Sequence, residues 1–164
     1  MKYVHVGKGI FLDRFSNGTN RNSFKRIKNN LEDLGVEFIV HDKAKEIFAN
    51  IWTTGTIPRT YEEKNWSGYR EIKINNSTVE DNIPEDQSLV IHTKKGQVLI
   101  SGCGHAGIVN TLEHVAKINK KNSYVFAAIG GFHLFNKNNE DISWTAKHMK
   151  KHGISYFLGA HCTG

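Results

Sequence analysis

Three histidines in this 164-residue sequence occupy the same local setting. An apolar run, Gln97 to Ser101, ends in Gly102-Cys103-Gly104-His105. A second, Tyr124 to Ile129, ends in Gly130-Gly131-Phe132-His133, and a third, Tyr156 to Leu158, ends in Gly159-Ala160-His161. The histidines fall 28 residues apart twice over, from 105 to 133 and from 133 to 161. Neutral imidazole binds zinc at about 2.0–2.1 Å, and three protein ligands plus a water make the catalytic arrangement of that metal. Zinc bound so lowers the pKa of its water toward about 7 and supplies hydroxide at neutral pH. The plainer alternative is that glycine-histidine turns merely close loops.

The elements that must position these side chains follow from the pattern. Short apolar runs bounded by glycine are expected to be buried strands. Between them lie helical periodicities. After His105, Ile108, Leu112 and Val115 share one face; within Asp141 to Lys151, Ile142, Ala146 and Met149 do. The segment is therefore expected to run β-α-β-α-β, with parallel strands whose carboxyl ends share one sheet edge, where ligands bind. Each histidine would stand just past such an end, and the imidazoles could converge.

Upstream, Lys2 to Val6 is expected to be a short strand and Arg14 to Asn22 a loop. Ser23 is the expected N-cap of a helix carrying Phe24, Ile27, Leu31 and Leu34 on one face and stopped by Gly35. Val36 to Val40 and Ile47 to Thr54 are expected strands. Leu89 to Ser101 is expected to be a hairpin turning on Gly96. Residues 60 to 87 are polar, with one strand-like alternation at Arg70 to Ile74, and suit an insertion or a flap over a site.

The other six histidines, His5, His41, His92, His114, His148 and His152, sit where structural or solvated roles are expected. His148 and His152 are four apart on a helix, but no Glu follows His148, so both are assigned to the surface. Cys103 and Cys162 each lie within two residues of a motif histidine and are expected to be small thiols packed behind the site, with ligation or nucleophilic chemistry as the alternatives. A structural disulfide is not expected in a reducing compartment.

The totals suit a single domain over residues 1–164. No run reaches the length of a membrane span and the first residues carry no signal-peptide core, so a cytoplasmic location is expected. The net charge of +6 comes from dispersed lysines, which suit a solvated face better than a nucleic-acid site.

Ser-Gly-Cys-Gly-His-Ala-Gly-Ile-Val-Asn at 101 to 110, Ile-Gly-Gly-Phe-His-Leu at 129 to 134 and Gly-Ala-His-Cys-Thr-Gly at 159 to 164 resemble the later motifs of the metallo-β-lactamase fold. The likeness is to its dihydropterin-ribofuranosyl-aminobenzene-phosphate synthase-like subgroup. Thr54 to Arg59 and Glu85 to Val90 resemble its pattern more weakly. The resemblance implies a four-layer αββα hydrolase with one or two divalent metals, zinc foremost and manganese or iron as alternatives. It implies that His105 is a first-site ligand and that His161 completes the second site. His133 stands where many relatives carry a bridging aspartate.

The family's leading His-x-His-x-Asp-His motif is absent, since no two histidines here are separated by one residue. The sequence is thus expected to be the C-terminal part of such a fold, lacking its N-terminal half, from a fragment or a split gene. A sheet face left without its layer would drive self-association or pairing with the missing half. The resulting expectation is a metal-dependent hydrolase acting through metal-bound hydroxide on a small, phosphorylated or pterin-like substrate, with Arg59 or the 60–87 segment reaching it. This stretch alone would be inactive. The alternatives are a non-catalytic, metal-binding or self-associating domain, and a nucleic-acid-processing member of the same fold.

Overall fold

The computed structural model describes residues 2–66, 70–118 and 124–164. Strand β1 (Lys2–Gly7) is followed by two short strands, β2 (Arg14–Ser16) and β3 (Thr19–Asn20), and helix α1 (Ser23–Asp33). Then come β4 (Val36–His41), β5 (Lys45–Phe48), β6 (Ile51–Thr53), β7 (Glu71–Ile74), β8 (Ser77–Glu80), β9 (Ser88–Thr93) and β10 (Gly96–Ser101). Helix α2 (Ile108–Ile118), β11 (Val125–Gly130), α3 (Asn139–Lys151) and β12 (Tyr156–Gly159) complete the order, with a final 3-10 turn at His161–Thr163.

Three sheets result: β1 with β4 in parallel, a four-stranded sheet β3-β2-β7-β8, and a six-stranded sheet β12-β11-β10-β9-β6-β5. The expected β-α-β-α-β run is β10-α2-β11-α3-β12, with β10, β11 and β12 parallel and adjacent. The expected hairpin at Gly96 joins β9 to β10, and Gly96 adopts φ +124 there.

The six-stranded sheet has unlike faces. Val90, Leu99 and Ala128 are cross-strand neighbours, all fully buried, and α2 lays Ile108, Val109, Leu112 and Val115 against that side. Each such side chain contributes roughly 1.5–3 kcal/mol by burial. One residue along, Leu89 pairs with Ile100, Ile100 with Ile129, and Ile129 with Leu158. Because side chains alternate along a strand, these four form an apolar row on the opposite face, and all remain 36–53% exposed. This is the uncovered sheet face that the sequence led one to expect.

Several boundaries differ from expectation. Asn22, not Ser23, caps α1, its side chain accepting from the Lys25 amide at 2.9 Å. Phe24 packs with Phe11 and Phe38, but Ile27 of the same helix and Leu34 at its C-cap are 45% and 76% exposed. The span Ile47 to Thr54 is a tight hairpin between β5 and β6, broken by Asn50 at φ +64. Arg14 to Asn22 contains a second small hairpin turning on Asn17 and Gly18, both at positive φ, the conformation Asn-Gly favours between two strands. In α3 the buried position is Thr145, and Ile142 is partly exposed.

The segment 60–87 is pinned rather than flap-like over its described residues. β7 joins β2 in the four-stranded sheet. Buried Arg14 bonds Asp81 at 2.7 Å and also meets Glu85, fastening the segment that follows β8. Residues 59–66 pack against the loop that carries His105.

Candidate metal centre

The 28-residue spacing has a simple structural cause. Ser101 of β10 stands in register with Gly130 of β11, and Gly130 with Gly159 of β12. The three motif loops therefore leave the sheet at one level. They are also bonded to each other: Gly131 donates to the Gly102 carbonyl at 3.1 Å, and Ala160 to that of Gly130 at 2.9 Å. Leu134 donates to Cys162 O at 3.1 Å, and Phe132 to the Thr163 hydroxyl at 3.2 Å. Gly131 must be glycine, since an added Cβ would fall 2.2 Å from the Gly102 carbonyl oxygen.

His105 is held from three sides. Its Nδ1 lies 2.5 Å from the Asn65 carbonyl oxygen, which can only accept, so the proton is on Nδ1 and Nε2 keeps a lone pair. That is the arrangement in which a carbonyl fixes the tautomer of a metal-ligating histidine. Its own carbonyl accepts from Arg59 Nη1 at 2.6 Å. The following amide, Ala106, donates to half-buried Asp86 at 2.8 Å. Burial pushes the Asp86 carboxyl up, against the Ala106 amide and the neighbouring His105 and Arg59.

His133 sits beside it, with ring centroids 4.8 Å apart. The residue adopts φ +48, in the left-handed region that costs a side chain strain. Its Nδ1 is buried and has no hydrogen-bond partner among the described residues. Burial pushes its pKa down, and His105, Lys137 and His161 push the same way, so the ring is held neutral. A buried, unpartnered nitrogen on a strained, neutral imidazole beside a second histidine fits a cation.

His161 also has positive φ, +53, at the start of the final 3-10 turn. Its field reaches His133, but its Nδ1 faces Cys103 Sγ at 3.6 Å. Cys162 Sγ in turn donates to the Cys103 carbonyl at 3.3 Å. The ligand atoms of Cys103, His161 and Cys162 all lie within 4.8 Å of one another. The two thiols thus stand beside the histidines and not simply behind them. Burial, then Cys162 and Asp86, pushes the Cys103 thiol up, which argues against an activated nucleophile.

Arg59, the residue expected to reach a substrate, is bonded to the fold's own backbone. Its guanidinium is spent on three carbonyls, those of His105, Asn82 and Ile83. Glu63, buried in the same loop, accepts from the amides of Val109 and Asn110 at 3.1 and 2.8 Å, capping α2 from a distance. Asn110 explains the end of its motif: its side chain accepts from Tyr61 N and donates to Tyr61 O, tying that loop to the helix. Both helix histidines expected at the surface are half-buried: His148 packs against Trp144 and Tyr61, and His152 bridges to Glu113 of α2 at 3.3 Å.

A cleft of about 380 Å³ opens beside the histidines, lined by Glu62, Asn65, Leu134, Lys137, Glu140 and Asp141 among others. Asn65 holds His105 and Leu134 follows His133, so the cleft adjoins the candidate centre. Sequence patterns gave no sign of Asn65 or Lys137, which work through long-range contacts, and pointed to Asp86 only weakly, within the stretch Glu85 to Val90.

Parallel strands thus deliver the three histidines to one sheet edge, with α2 packed on one face of the sheet. The solved structure of Tm1679, a metal-dependent hydrolase of the β-lactamase superfamily, aligns over 99% of this chain and 61% of its own, with a TM-score of 0.79 and 25% identity. The chain belongs to the metallo-β-lactamase superfamily. It is 35% identical over 144 residues to the 7,8-dihydropterin-6-methyl-4-(β-D-ribofuranosyl)-aminobenzene-5′-phosphate synthase of Methanocaldococcus jannaschii, 85% of this chain and 48% of that one. It is also 29% identical over 161 residues to MJ0448, an uncharacterized protein of the same organism, covering 98% of this chain and 58% of the relative. The chain therefore spans about half the length of the curated relatives it matches. No family model matches it. The fold points to use of divalent metal. Among the described residues no helix is long and apolar enough to cross a membrane.

Proposed function

We propose that this chain carries the late-strand share of a metal-dependent hydrolase centre, with His105, His133 and His161 as ligands. The observation that carries it is the pairing of His105 and His133, rings 4.8 Å apart, with a buried, unpartnered Nδ1 on His133. His105 would bind through Nε2, its Nδ1–H being committed to Asn65. Zinc, the first choice for an imidazole set, would acidify a bound water. The chain's own residues do the positioning. Asn65 sets the tautomer of His105, Arg59 and Asp86 fix its backbone, and burial keeps His133 neutral.

The substrate proposed is a small pterin-like or phosphorylated molecule. The name of the synthase relative supports that class. In the adjoining cleft, carboxylates of Glu62, Glu140 and Asp141 could accept from the amino and ring N–H groups of a pterin, while Lys137 could meet a phosphate. Both curated relatives are longer, and the leading histidine motif is absent here, so turnover belongs to an arrangement that supplies the remaining ligands.

Metal content per chain after dialysis tests this reading. Near-stoichiometric zinc, manganese or iron in a Cys103→Ser/Cys162→Ser background, lost when His105→Ala/His133→Ala is added with circular dichroism unchanged, is the expected result. Metal retained undiminished by that variant would sink the assignment.

A further inference from the structure

The second cluster at the strand ends is of different chemistry from the first. Cys103 follows β10, and His161 and Cys162 follow β12, so two loops far apart in sequence supply two sulfurs and one nitrogen. Zinc–sulfur bonds of about 2.3 Å and zinc–nitrogen bonds of about 2.0–2.1 Å, at tetrahedral angles, put sulfur and nitrogen about 3.6 Å apart. Cys103 Sγ and His161 Nδ1 stand at 3.6 Å. All three donor atoms lie within 4.8 Å of one another, so small side-chain rotations suffice to close around one ion. Gly131 makes the room: an added Cβ would lie 3.0 Å from Cys162 Sγ and 3.2 Å from Cys103 Cα.

We infer that Cys103, Cys162 and His161 Nδ1 form a thiolate-rich site for a thiophilic divalent cation, zinc in the first instance, distinct from the His105–His133 pair. Binding replaces the two S–H bonds by two metal–sulfur bonds and releases two protons, with no change of oxidation state. Cys162 then gives up its hydrogen bond to the Cys103 carbonyl. Three protein ligands leave a fourth position for water, consistent with the exposure of His161. The site draws its ligands from this stretch alone and so does not depend on the absent leading motif. His161 is shared: ligation through Nδ1 turns that nitrogen toward the thiols and leaves Nε2 as its one remaining donor to the first centre.

The test is titration of the reduced, metal-free chain with Co²⁺ as probe, followed by Zn²⁺. The wild type should develop thiolate-to-cobalt charge-transfer absorption that saturates near one equivalent and is erased by Zn²⁺. The band should vanish in Cys103→Ser and Cys162→Ser and weaken in His161→Ala. It should persist in His105→Ala/His133→Ala, the variant that removes the first centre, so the two assignments fail separately. An independent measurement needs no variant. Zn²⁺ should slow alkylation of the wild-type thiols by at least about tenfold, and a chelator should restore the rate. No charge-transfer band in the wild type, its loss in the double-histidine variant, or alkylation indifferent to Zn²⁺ would each overturn the proposal.

Discussion

Arg59 Nη1 donates to the carbonyl oxygen of His105 at 2.6 Å, across 46 positions of sequence. The same guanidinium bonds the carbonyls of Asn82 and Ile83 at 2.5 and 3.1 Å. Ile83 adopts φ +57, a conformation a β-branched residue resists, so this loop is held against its own preference. Burial pulls the Arg59 pKa down, opposed by Asp86, Glu63 and Glu85, and the cation is retained because those carboxylates surround it. Arg59→Met should leave three carbonyls without their donor and cost about 2–4 kcal/mol in denaturant unfolding. Metal retention should fall as well, because the His105 loop loses its brace. A loss below about 0.5 kcal/mol would show that water replaces the guanidinium.

Glu63 does for α2 what a local cap does elsewhere. The helix begins after Gly107, whose φ of +94 and lack of a side chain admit the Glu63 carboxylate, and a Cβ there would stand 2.3 Å from its oxygen. Glu63→Ala should destabilise by about 1–3 kcal/mol, through two amides left uncapped. Burial raises the Glu63 pKa, so its charged form is disfavoured in the folded chain, and that penalty grows as pH rises from the ordinary carboxylate range through the raised value. Glu63→Gln, which keeps an acceptor and sheds the charge, should cost less than Glu63→Ala at pH 7. Equal losses would mean the carboxylate's second oxygen is indispensable.

Much of this centre was legible because the sheet imposes a repeat. Strand, glycine and histidine recur at equal spacing, and the register of Ser101, Gly130 and Gly159 is the physical reason. What could not be read was every partner set by a long-range contact. Asn65 acts through its backbone carbonyl, which no side-chain pattern reveals. Arg59 had the right charge for a substrate, but its guanidinium is used up inside the fold. The N-cap slipped by one residue because Asn22 and Ser23 are both capping types, and only the backbone turn at Asn22 chooses between them. Ile27 and Leu34 share the apolar stripe of α1 with Phe24, but only Phe24 found aromatic neighbours in Phe11 and Phe38.

His5 and His41 give the β1–β4 pair a pH dependence. Their rings stack at 5.0 Å, and His5 Nδ1 meets His41 Nε2 at 2.8 Å, a bond that needs one nitrogen unprotonated. Burial lowers the His41 pKa from 6.5, with His5 and Lys45 acting the same way and Asp42 against them. A histidine with a lowered folded pKa binds fewer protons folded than unfolded, so its contribution is complete above about 6.5 and is lost as pH falls through the lower value. The midpoint of denaturant unfolding should drop between pH 7.5 and 5.5, and His41→Asn should flatten that part of the profile. An unchanged slope in the variant would assign the pH dependence to other groups.

Leu89, Ile100, Ile129 and Leu158 should make the chain self-associate. They line up across four adjacent strands on the face opposite α2, each at least one-third exposed. A contiguous apolar strip of this kind, flanked by exposed Tyr156 on the edge strand, is unfavourable in water unless something covers it. A second copy meets that need with the same surface, strip against strip. Sedimentation velocity across a wide concentration range should show a rising weight-average coefficient for the wild type. Ile100→Lys puts an ammonium at the centre of the strip, where burial in a contact costs several kcal/mol, and should leave the chain monomeric with its α2 core intact. A wild type that sediments as a monomer throughout would mean that the strip is stable in water, and the uncovered face would then impose no partner on this chain.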